Sequence, residues 1–466
     1  MITIILLAVL LVGELAFAAW NVKAQHRHDR EKMTWRLGLA ATLEILLLCG
    51  VLEGVARYGM LIMLLLLQGV LLFFRWRAGS RRKKKQHNGK SDETGNTDET
   101  GDTGDTDEKQ LPDRSLTVPY QILHVLGTML LFLLVLFPAI LAPQFKPLPV
   151  TGEHKVSSTI YTWVDENRPE TYSDTGENRA VTLEIWYPQE QGTYPLIVFS
   201  NGAGGVLESN ASTCMNLASN GYVVAAVAHP YQAAFVKDVN GKITTVDPEF
   251  MSEVMTDNGS DDPAHEVKVY EMQKEWLAVR TGDINFVLDT ILSRAEEQAE
   301  APFDRIDPEK IGLFGHSLGG AAVAAVGRQR ENISAVIDLE GTMLGEYQGY
   351  ADGKHTYCEA PYPLPLLDVN SRQVYELAKS DTKESYVNFY VGDHAEDFRE
   401  IVVEDAGHMN FCDLAVASPL GARLLGTGKT NAWKCLANIN ELVLNYYNYY
   451  LKDASAFEVP DGMEME

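Results

Sequence analysis

The stretch Ile311-Gly-Leu-Phe-Gly-His-Ser-Leu-Gly-Gly320 decides the fold of the C-terminal part of the chain. Its apolar start, residues 311–314, predicts a buried strand, and the small residues at 321–326 predict a helix. Between them, residues 315–319 fit the pattern G-x-S-x-G in the strand, turn and helix order of a nucleophile elbow. We expect glycine on both sides of Ser317 because a sharp turn leaves no room for a Cβ atom. The pattern therefore predicts that the Ser317 hydroxyl stands clear of a sheet as a nucleophile.

Strand-like and helix-like stretches alternate on both sides of this elbow. The segments rich in β-forming residues are 180–187, 195–200, 222–228, 311–314, 335–337, 364–369 and 398–404. Residues 267–293 are long and periodic enough for a helix. This alternation predicts an α/β fold with a mainly parallel sheet and helices on both faces. Ligands of such sheets bind at the carboxyl ends of the strands, where Ser317 is predicted to emerge.

A serine nucleophile needs a base and two donors for the oxyanion. His408 fits the base, because it follows the last predicted strand and a small-residue turn in Val402-Val-Glu-Asp-Ala-Gly-His-Met-Asn-Phe411. The first predicted donor is the amide of Leu318, the residue after the nucleophile. The second is the amide of Ala203, in the glycine-rich loop Ser200-Asn-Gly-Ala-Gly-Gly205 that follows a predicted strand.

Three carboxylates compete for the role of the acid that orients His408. Asp338 ends the first strand after the elbow, and Glu340 would point to the same side if that strand continued. Asp368 lies within the next predicted strand, where a side chain more often packs into the interior. The sequence favours Asp338, because an acid at a strand end reaches a histidine readily, and keeps Glu340 and Asp368 as alternatives.

Four apolar segments precede residue 145, namely 2–19, 37–56, 60–74 and 118–142. Each is near the ~17–25 residues that cross a bilayer, so we predict four transmembrane helices. The first segment also resembles a signal peptide at Ala16-Phe-Ala18, but it lacks a positively charged start, which favours a retained span. The predicted organisation is three transmembrane helices in 1–80, a charged disordered cytoplasmic linker in 81–117, a fourth transmembrane helix in 118–145, a catalytic domain in 150–452 and an acidic tail in 453–466.

The placement of lysine and arginine predicts the orientation in the membrane. Basic residues crowd the stretches 23–36 and 75–85, which places both on the cytoplasmic side. Everything after about Gln144 is then extracytoplasmic, and we expect a multi-pass protein of the plasma membrane. Glu44 and Glu53 fall inside the second predicted span, where carboxylates often mark function, although a structural position explains them more simply.

Charge and cysteine content exclude several classes of function. A formal net charge of -25 argues against a nucleic-acid partner. No cysteine has zinc-ligand spacing, and the predicted chemistry needs neither a metal nor a cofactor. The region after residue 145 contains cysteines that form disulfides in an oxidising compartment or remain as buried thiols, and the sequence leaves this open: Cys214, Cys358, Cys412 and Cys435.

Several motifs together indicate a family. They are Phe199-Ser-Asn-Gly-Ala-Gly204, Gly221-Tyr-Val-Val-Ala-Ala-Val-Ala-His-Pro-Tyr231, Gly315-His-Ser-Leu-Gly-Gly320, Ile337-Asp338 and Gly407-His-Met-Asn-Phe411. With them, residues of about 150 to 451 resemble the platelet-activating-factor acetylhydrolase and dienelactone-hydrolase branch of the α/β-hydrolases. The resemblance implies an α/β-hydrolase fold and an acid after the strand that follows the elbow, which supports Asp338.

The triad and the resemblance together predict a membrane-anchored serine ester hydrolase. Its expected partners are the lipid bilayer and a small-molecule or lipid ester, which it would cleave through an acyl-enzyme. Acyl transfer or peptide cleavage on the same triad remains an alternative, as does a non-catalytic sensor that binds a ligand. The acyl-chain length and the oligomeric state are not predictable from these motifs.

Overall fold

The computed structural model describes residues 2–52, 55–91, 114–143, 145–256, 263–298, 300–351, 354–380 and 386–466. The chain forms two compact units, Met1–Phe145 and Lys146–Glu466. Residues 92–113 of the predicted linker and Glu53 lie outside the described residues.

The N-terminal unit consists of long apolar helices. They are α1 (Ile2–Ala24), α2 (Asp29–Leu48), α3 (Val55–Ser91) and α4 (Val118–Leu141). Within the described residues, three segments are long and apolar enough to cross a membrane: Ile2–Ala24, Arg57–Arg81 and Val118–Leu141. They coincide with the first, third and fourth predicted spans. The prediction of four spans is thus supported for three.

The described residues do not show the second predicted span as a membrane-crossing helix, and the bounds of α2 explain why. Helix α2 begins in the charged sequence at Asp29 and ends at Leu48, and a turn that contains Gly50 follows it. Its apolar part, residues 37–48, is therefore only about 18 Å long, whereas the hydrocarbon core of a bilayer is about 30 Å thick. The charged first turns of α2 are part of the helix rather than of a connecting loop, which places Lys32 and Arg36 on its packed surface.

The C-terminal unit alternates strands with helices, as predicted. Its strands are β1 (Val156–Pro169), β2 (Asn178–Pro188), β3 (Tyr194–Ser200), β4 (Val223–Ala228), β5 (Phe235–Lys237), β6 (Ile243–Thr245), β7 (Ile306–His316), β8 (Ala335–Leu339), β9 (Tyr347–Ala351), β10 (Lys354–Tyr357), β11 (Leu366–Ser371), β12 (Phe398–Val403) and β13 (Met463–Met465). Its helices are α5 (Ala211–Ser219), α6 (Pro248–Thr256), α7 (Pro263–Glu296), α8 (Leu318–Gln329), α9 (Arg372–Ser380), α10 (Val387–His394), α11 (Leu414–Ala417), α12 (Pro419–Leu425) and α13 (Ala432–Leu451).

The described residues form one large sheet in the order β1-β2-β4-β3-β7-β8-β11-β12-β13. The six strands from β4 to β12 pair in parallel, whereas β1, β2 and β13 pair antiparallel at the two edges. This arrangement is an α/β-hydrolase-like fold with a mostly parallel central sheet. The predicted fold class is confirmed for this unit.

Alternation along the strands builds a separate core on each face of the sheet. In β3, Ile197 and Phe199 join one core, while Leu196 and Val198 join the other, because successive side chains of a strand point to opposite faces. Residues of α5 and α13 pack into the first core, and residues of α7 and α8 pack into the second. Both layers leave the carboxyl ends of the central strands free for the segments that carry Ala203, Ser317, Glu340 and His408.

Candidate active site

Ser317 occupies the sharp turn between β7 and α8. Its backbone has φ 58° and ψ -128°, a conformation that L-residues rarely adopt, and its amide donates to the Leu339 carbonyl at 2.9 Å. A Cβ atom on Gly315 would lie 2.2 Å from the Gly319 carbonyl oxygen, and one on Gly319 would lie 2.1 Å from the Ser200 carbonyl oxygen. Both glycines are therefore required by close backbone contact, as the sequence predicted. Ser317 itself remains partly accessible.

The structure brings His408 to Glu340. The Nδ1 atom of His408 lies 2.7 Å from Glu340 Oε2, and an ionised carboxylate only accepts, so Nδ1–H is the donor. The other Glu340 oxygen accepts the Ser371 amide at 2.7 Å, which fixes the carboxylate from both sides. His316, the neighbour of Ser317, donates from Nε2 to the His408 carbonyl at 3.1 Å, which ties the histidine turn to the elbow. This leaves His408 Nε2 as the ring nitrogen for a serine proton.

Asp338, the acid preferred from the sequence, is not brought to His408. It is fully buried, and its Oδ1 accepts the Gly341 amide at 2.8 Å. Burial and the adjacent Asp368 raise the pKa of Asp338 well above its usual range, which favours the neutral form of its side chain. A carboxyl biased toward its neutral form is poorly suited to stabilise an imidazolium by charge. The geometry thus favours the alternative acid, Glu340, over Asp338.

Asp368, the other alternative, also lies away from His408. It is fully buried in β11 and accepts from Asn370 Nδ2 at 2.9 Å and from Asn388 Nδ2 at 3.1 Å. Burial raises the pKa of Asp368 to about 7. Asp368 is the register partner of Asp338 on the neighbouring parallel strand, so the two carboxyls form a buried pair beneath the elbow.

Ala203, the predicted second oxyanion donor, lies in the loop after β3. The Gly204 amide is used by the Gln232 carbonyl at 2.8 Å, and the Gly205 amide by the Gly202 carbonyl at 3.1 Å. The Ala203 amide has no acceptor within the part of the chain that the structure describes. A Cβ atom on Gly202 would lie 3.2 Å from Ser317 Cβ, which shows how closely the loop approaches the nucleophile. The predicted first donor, Leu318, is the first residue of α8, where helix amides carry partial positive charge.

Arg280 binds the backbone of this loop, a role that the sequence analysis missed. Its side chain is fully buried and donates to the carbonyls of Asn201 and Gly202, the latter at 3.3 Å, and from Nε to Gln232 Oε1 at 2.7 Å. Burial lowers the pKa of Arg280 to about 9, which still leaves it charged at neutral pH. Because both carbonyls are engaged by Arg280, the Asn201–Gly202 backbone is fixed in the orientation that precedes Ala203.

A second serine, histidine and aspartate array lies next to the elbow. Ser200 Oγ is 2.9 Å from His229 Nε2, and His229 Nδ1 is 3.0 Å from Asp283 Oδ2. The array has the composition of a triad, but all three side chains are fully buried. Burial lowers the pKa of His229 to about 4.

Asp283 in this array already has two cationic partners. Arg168 and Arg179 bind its two oxygens at 2.7 and 2.8 Å. Burial alone would raise the pKa of Asp283, but Arg179 and His229 outweigh it and hold that pKa below its usual range. Sequence reasoning placed His229 after a strand but gave no signal for Asp283, which lies in the middle of α7.

The cysteines are all free thiols in the structure. Burial raises the pKa values of Cys412 and Cys435 to about 12, so both thiols are unreactive at neutral pH. Among the described residues, no group of three or more potential ligands is arranged to hold a metal ion.

The comparison with protein families decides the identity of the C-terminal unit. The family described as platelet-activating factor acetylhydrolase, isoform II, matches residues 178–463, which is more than half of the chain. The chain belongs to this family. The match covers the oxyanion loop, the elbow, all three candidate acids and the candidate base, and it confirms the resemblance that the motifs indicated.

Individual relatives agree with this family. The platelet-activating factor acetylhydrolase of Cavia porcellus is 26% identical over 271 residues, which are 55% of this chain and 58% of the relative. That of Canis lupus familiaris is 28% identical over 232 residues, 47% of this chain and 48% of the relative. Cutinase est2 of Thermobifida alba is 28% identical over 211 residues, 45% of this chain and 56% of the relative. The chain spans about half the length of the relatives that it matches.

A solved structure confirms the fold by itself. The ferulic acid esterase from Streptomyces cinnamoneus superposes with a TM-score of 0.51 at 20% identity, and the match covers 68% of this chain and 98% of the esterase. At this identity the likeness shows the α/β-hydrolase fold and carries no information about the substrate.

The buried carboxyl pair predicts a specific pH dependence of stability. The pKa of Asp368 is about 7 in the folded protein against 3.8 for the ordinary side chain, so the folded state retains a proton that the unfolded chain releases. Stability must then fall as the pH rises from about 4 to about 7. We expect Asp368→Asn to raise the melting temperature relative to the parent protein at pH 8, but not at pH 4, in calorimetric scans of the full chain. An equal effect at both pH values would show that Asp368 is not protonated in the folded state.

Proposed function

We propose that the protein is a serine ester hydrolase whose triad is Ser317, His408 and Glu340. The observation that carries the proposal is the bond of 2.7 Å between His408 Nδ1 and Glu340 Oε2, next to a serine on a strained elbow. The family supports the reaction class, since relatives bear the names acetylhydrolase, esterase and cutinase. The acid differs from Asp338, which the sequence favoured.

The geometry supports the usual sequence of acyl transfer. Ser317 Oγ attacks the ester carbonyl carbon while His408 Nε2 takes the hydroxyl proton, and Glu340 stabilises the imidazolium that forms. The amides of Leu318 and Ala203 are the proposed donors to the carbonyl oxygen as it becomes negative. His408 then returns the proton to the leaving alkoxide, and the acyl group remains on Ser317. Water, deprotonated by His408, attacks this acyl-enzyme, and the carboxylic acid leaves as His408 returns the proton to Ser317 Oγ.

Ser200 is the competing nucleophile, and burial argues against it. Its hydroxyl is fully enclosed, whereas an ester must reach the attacking oxygen. The low pKa of His229, about 4, also makes it a poor base at neutral pH. We therefore propose that the Ser200, His229 and Asp283 array is structural. It would hold the end of β3 beneath the oxyanion loop, together with Arg179 and Arg280.

A lipid ester is the substrate class that we propose. Relatives are named platelet-activating factor acetylhydrolase and probable 1-alkyl-2-acetylglycerophosphocholine esterase, the latter from Arthroderma benhamiae and 29% identical over 152 residues. Both names point to the removal of a short acyl group from a glycerophospholipid. Acyl transfer and peptide cleavage would use the same triad and remain alternatives, because the choice of acceptor depends on the shape of the substrate pocket. An intact triad argues against a purely ligand-binding sensor.

We also propose that the N-terminal unit anchors the enzyme in the plasma membrane. Helices α1, α3 and α4 expose large apolar side chains that water would not tolerate in this number. Examples with half or more of their surface exposed are Ile4, Val12, Met63, Leu67, Leu123, Leu130 and Leu134. The basic ends of α1, α2 and α3 favour the cytoplasm, which would leave the hydrolase unit outside.

The identity of the nucleophile can be tested by covalent labelling. We expect a fluorophosphonate to label the parent protein and Ser200→Ala, and to leave Ser317→Ala unlabelled, because only Ser317 is both accessible and activated. The measurement is gel fluorescence followed by mass spectrometry of the labelled peptide. Labelling that survives Ser317→Ala and disappears in Ser200→Ala would place the reaction in the buried array.

The identity of the acid can be tested by a pair of matched variants. Glu340→Gln should lower kcat on a p-nitrophenyl ester by about 10⁴-fold, because an amide cannot stabilise the imidazolium. Asp338→Asn should change kcat by less than about threefold, because the Asp338 side chain binds the Gly341 amide rather than His408 and burial favours its neutral form. Circular dichroism checks that both variants fold. A large loss in Asp338→Asn with near-normal turnover in Glu340→Gln would restore the sequence-based choice.

The orientation can be tested on intact cells. Protease added from outside should digest the unit Lys146–Glu466, because this unit is proposed to be extracytoplasmic. Permeabilised cells provide the control in which digestion occurs for either orientation. Full protection of this unit in intact cells would invert the proposed topology.

A further inference from the structure

The helices of the N-terminal unit enclose a polar cavity at one end of their bundle. The cavity has a volume of about 260 Å³ and lies where α1 ends, α2 and α4 begin, and the apolar part of α3 gives way to arginines. The charged and polar side chains that matter for its chemistry are Arg27, Lys32, Arg36, Gln68, Arg75 and His124. Charged side chains that line a cavity inside a bundle of membrane-spanning helices often mark a binding site.

Among the described residues, cations outnumber carboxylates around this cavity. Lys32, Arg36 and Arg75 line it, against Asp29 in the lining and Glu14 behind it. Lys32 Nζ lies 2.5 Å from Glu14 Oε2, Arg36 binds the other Glu14 oxygen, and Arg75 Nε lies 3.9 Å from Asp29. Three positive charges thus face two negative charges, without counting Arg27, which donates to Ser115 Oγ.

The excess positive charge lies on buried side chains of the helix bundle rather than on its surface. The side chains of Lys32 and Arg36 are only 11% and 3% exposed, whereas basic residues that merely signal topology lie in solvated loops. Two buried polar atoms of the lining, Arg36 Nε and Gln68 Oε1, have no hydrogen-bond partner within the described part of the chain. An unsatisfied guanidinium N–H next to a polar cavity can donate a charge-assisted hydrogen bond to a bound anion.

An apolar groove adjoins the cavity. It has a volume of about 560 Å³ and runs between α1 and α4, with Leu11, Leu15, Ala18, Ile122 and Leu126 among its lining residues. Gln121 lines both the polar cavity and the groove. A molecule that fills both must carry an anionic head and an apolar chain.

We propose that this cavity binds the phosphate headgroup of an anionic phospholipid, with one acyl chain in the adjacent groove. Arginine forks match phosphate oxygens, and basic pockets between transmembrane helices on the cytoplasmic side suit such headgroups. The site is separate from Ser317 and belongs to a different unit of the chain, so it does not depend on ester hydrolysis. The proposal rests on the proposed function only in one respect, that α1, α3 and α4 lie in a membrane.

The binding can be measured on the full chain in non-ionic detergent by native mass spectrometry. The probes are dioleoylphosphatidate and, for comparison, dioleoylphosphatidylcholine. We expect selective binding of phosphatidate that the double variant Arg27→Gln/Arg75→Gln weakens by at least about tenfold, because two charge-assisted contacts are lost. Arg77→Gln is the matched control, since Arg77 is an exposed arginine on the same helix as Arg75 and does not line the cavity. Equal binding by the double variant and the control would overturn the proposal.

The buried charges need a different design. Arg36→Gln removes one cation of the cavity and leaves Glu14 paired with Lys32, so no buried charge loses its only partner. We expect this variant to remain in the membrane fraction but to bind phosphatidate about tenfold more weakly. Membrane recovery with unchanged phosphatidate binding would contradict a role for Arg36.

A groove variant distinguishes a lipid from a free phosphate. Ala18→Trp should fill the groove and weaken phosphatidate binding without touching the cations of the cavity. Inorganic phosphate in millimolar excess should displace the lipid poorly. Phosphatidate binding could instead be unchanged by Ala18→Trp and abolished by inorganic phosphate. That result would show that the cavity binds free phosphate and would overturn the lipid assignment. Hydrolysis of a soluble p-nitrophenyl ester should be unchanged in all of these variants, so failure here is distinct from failure of the triad.

Discussion

The candidate site depends on the backbone of Ser317. A serine at φ 58° is held there only if its surroundings compensate a strain of about 1–3 kcal/mol. Two features compensate this strain. The Ser317 amide donates a hydrogen bond to the Leu339 carbonyl, and Gly315 and Gly319 leave room for neighbouring backbone atoms with which a Cβ would collide. The same turn positions His316 to bind the His408 carbonyl and places the Leu318 amide at a helix start. Nucleophile, base turn and oxyanion donor therefore share one local constraint.

Glu340 is a second strained residue, and its strain explains why the sequence analysis preferred another acid. Strand β8 ends at Leu339, and Glu340 follows it at φ 55°, which turns its side chain away from the strand's own alternation. Strand parity puts Asp338 and Glu340 on the same side, so only the predicted strand end favoured Asp338 in the sequence. Both acids are buried in the structure, and their contacts separate them, because Asp338 lies beside Asp368 and Glu340 binds His408. The choice between the two acids depends on the backbone angle φ of Glu340, just after the strand end. The alternation of residues in the sequence does not predict that angle.

Features with a local signature were predictable, and features built from distant residues were not. The elbow, the loop around Ala203 and the strand before His408 follow from short motifs, and the structure places them as elements in the predicted order. Other contacts connect β3, β4 and α7, namely the array of Ser200, His229 and Asp283 and the hydrogen bonds of Arg280. No spacing in the sequence predicts these contacts. In the N-terminal unit, hydropathy found the apolar segments but missed where α2 begins. As a result it singled out Glu44, which is exposed, instead of Glu14, which is fully buried against Lys32 and Arg36.

The central claim is that Ser317, His408 and Glu340 act together in a site whose oxyanion donors are Leu318 and Ala203. An experimental structure of the full chain after reaction with a phosphonate ester tests all of these assignments at once. The account predicts a covalent bond between phosphorus and Ser317 Oγ. It also predicts the phosphonyl oxygen within hydrogen-bond distance of both amides, and His408 between the adduct and Glu340. An adduct on Ser200, or a His408 ring that has left Glu340 for Asp338, would contradict it.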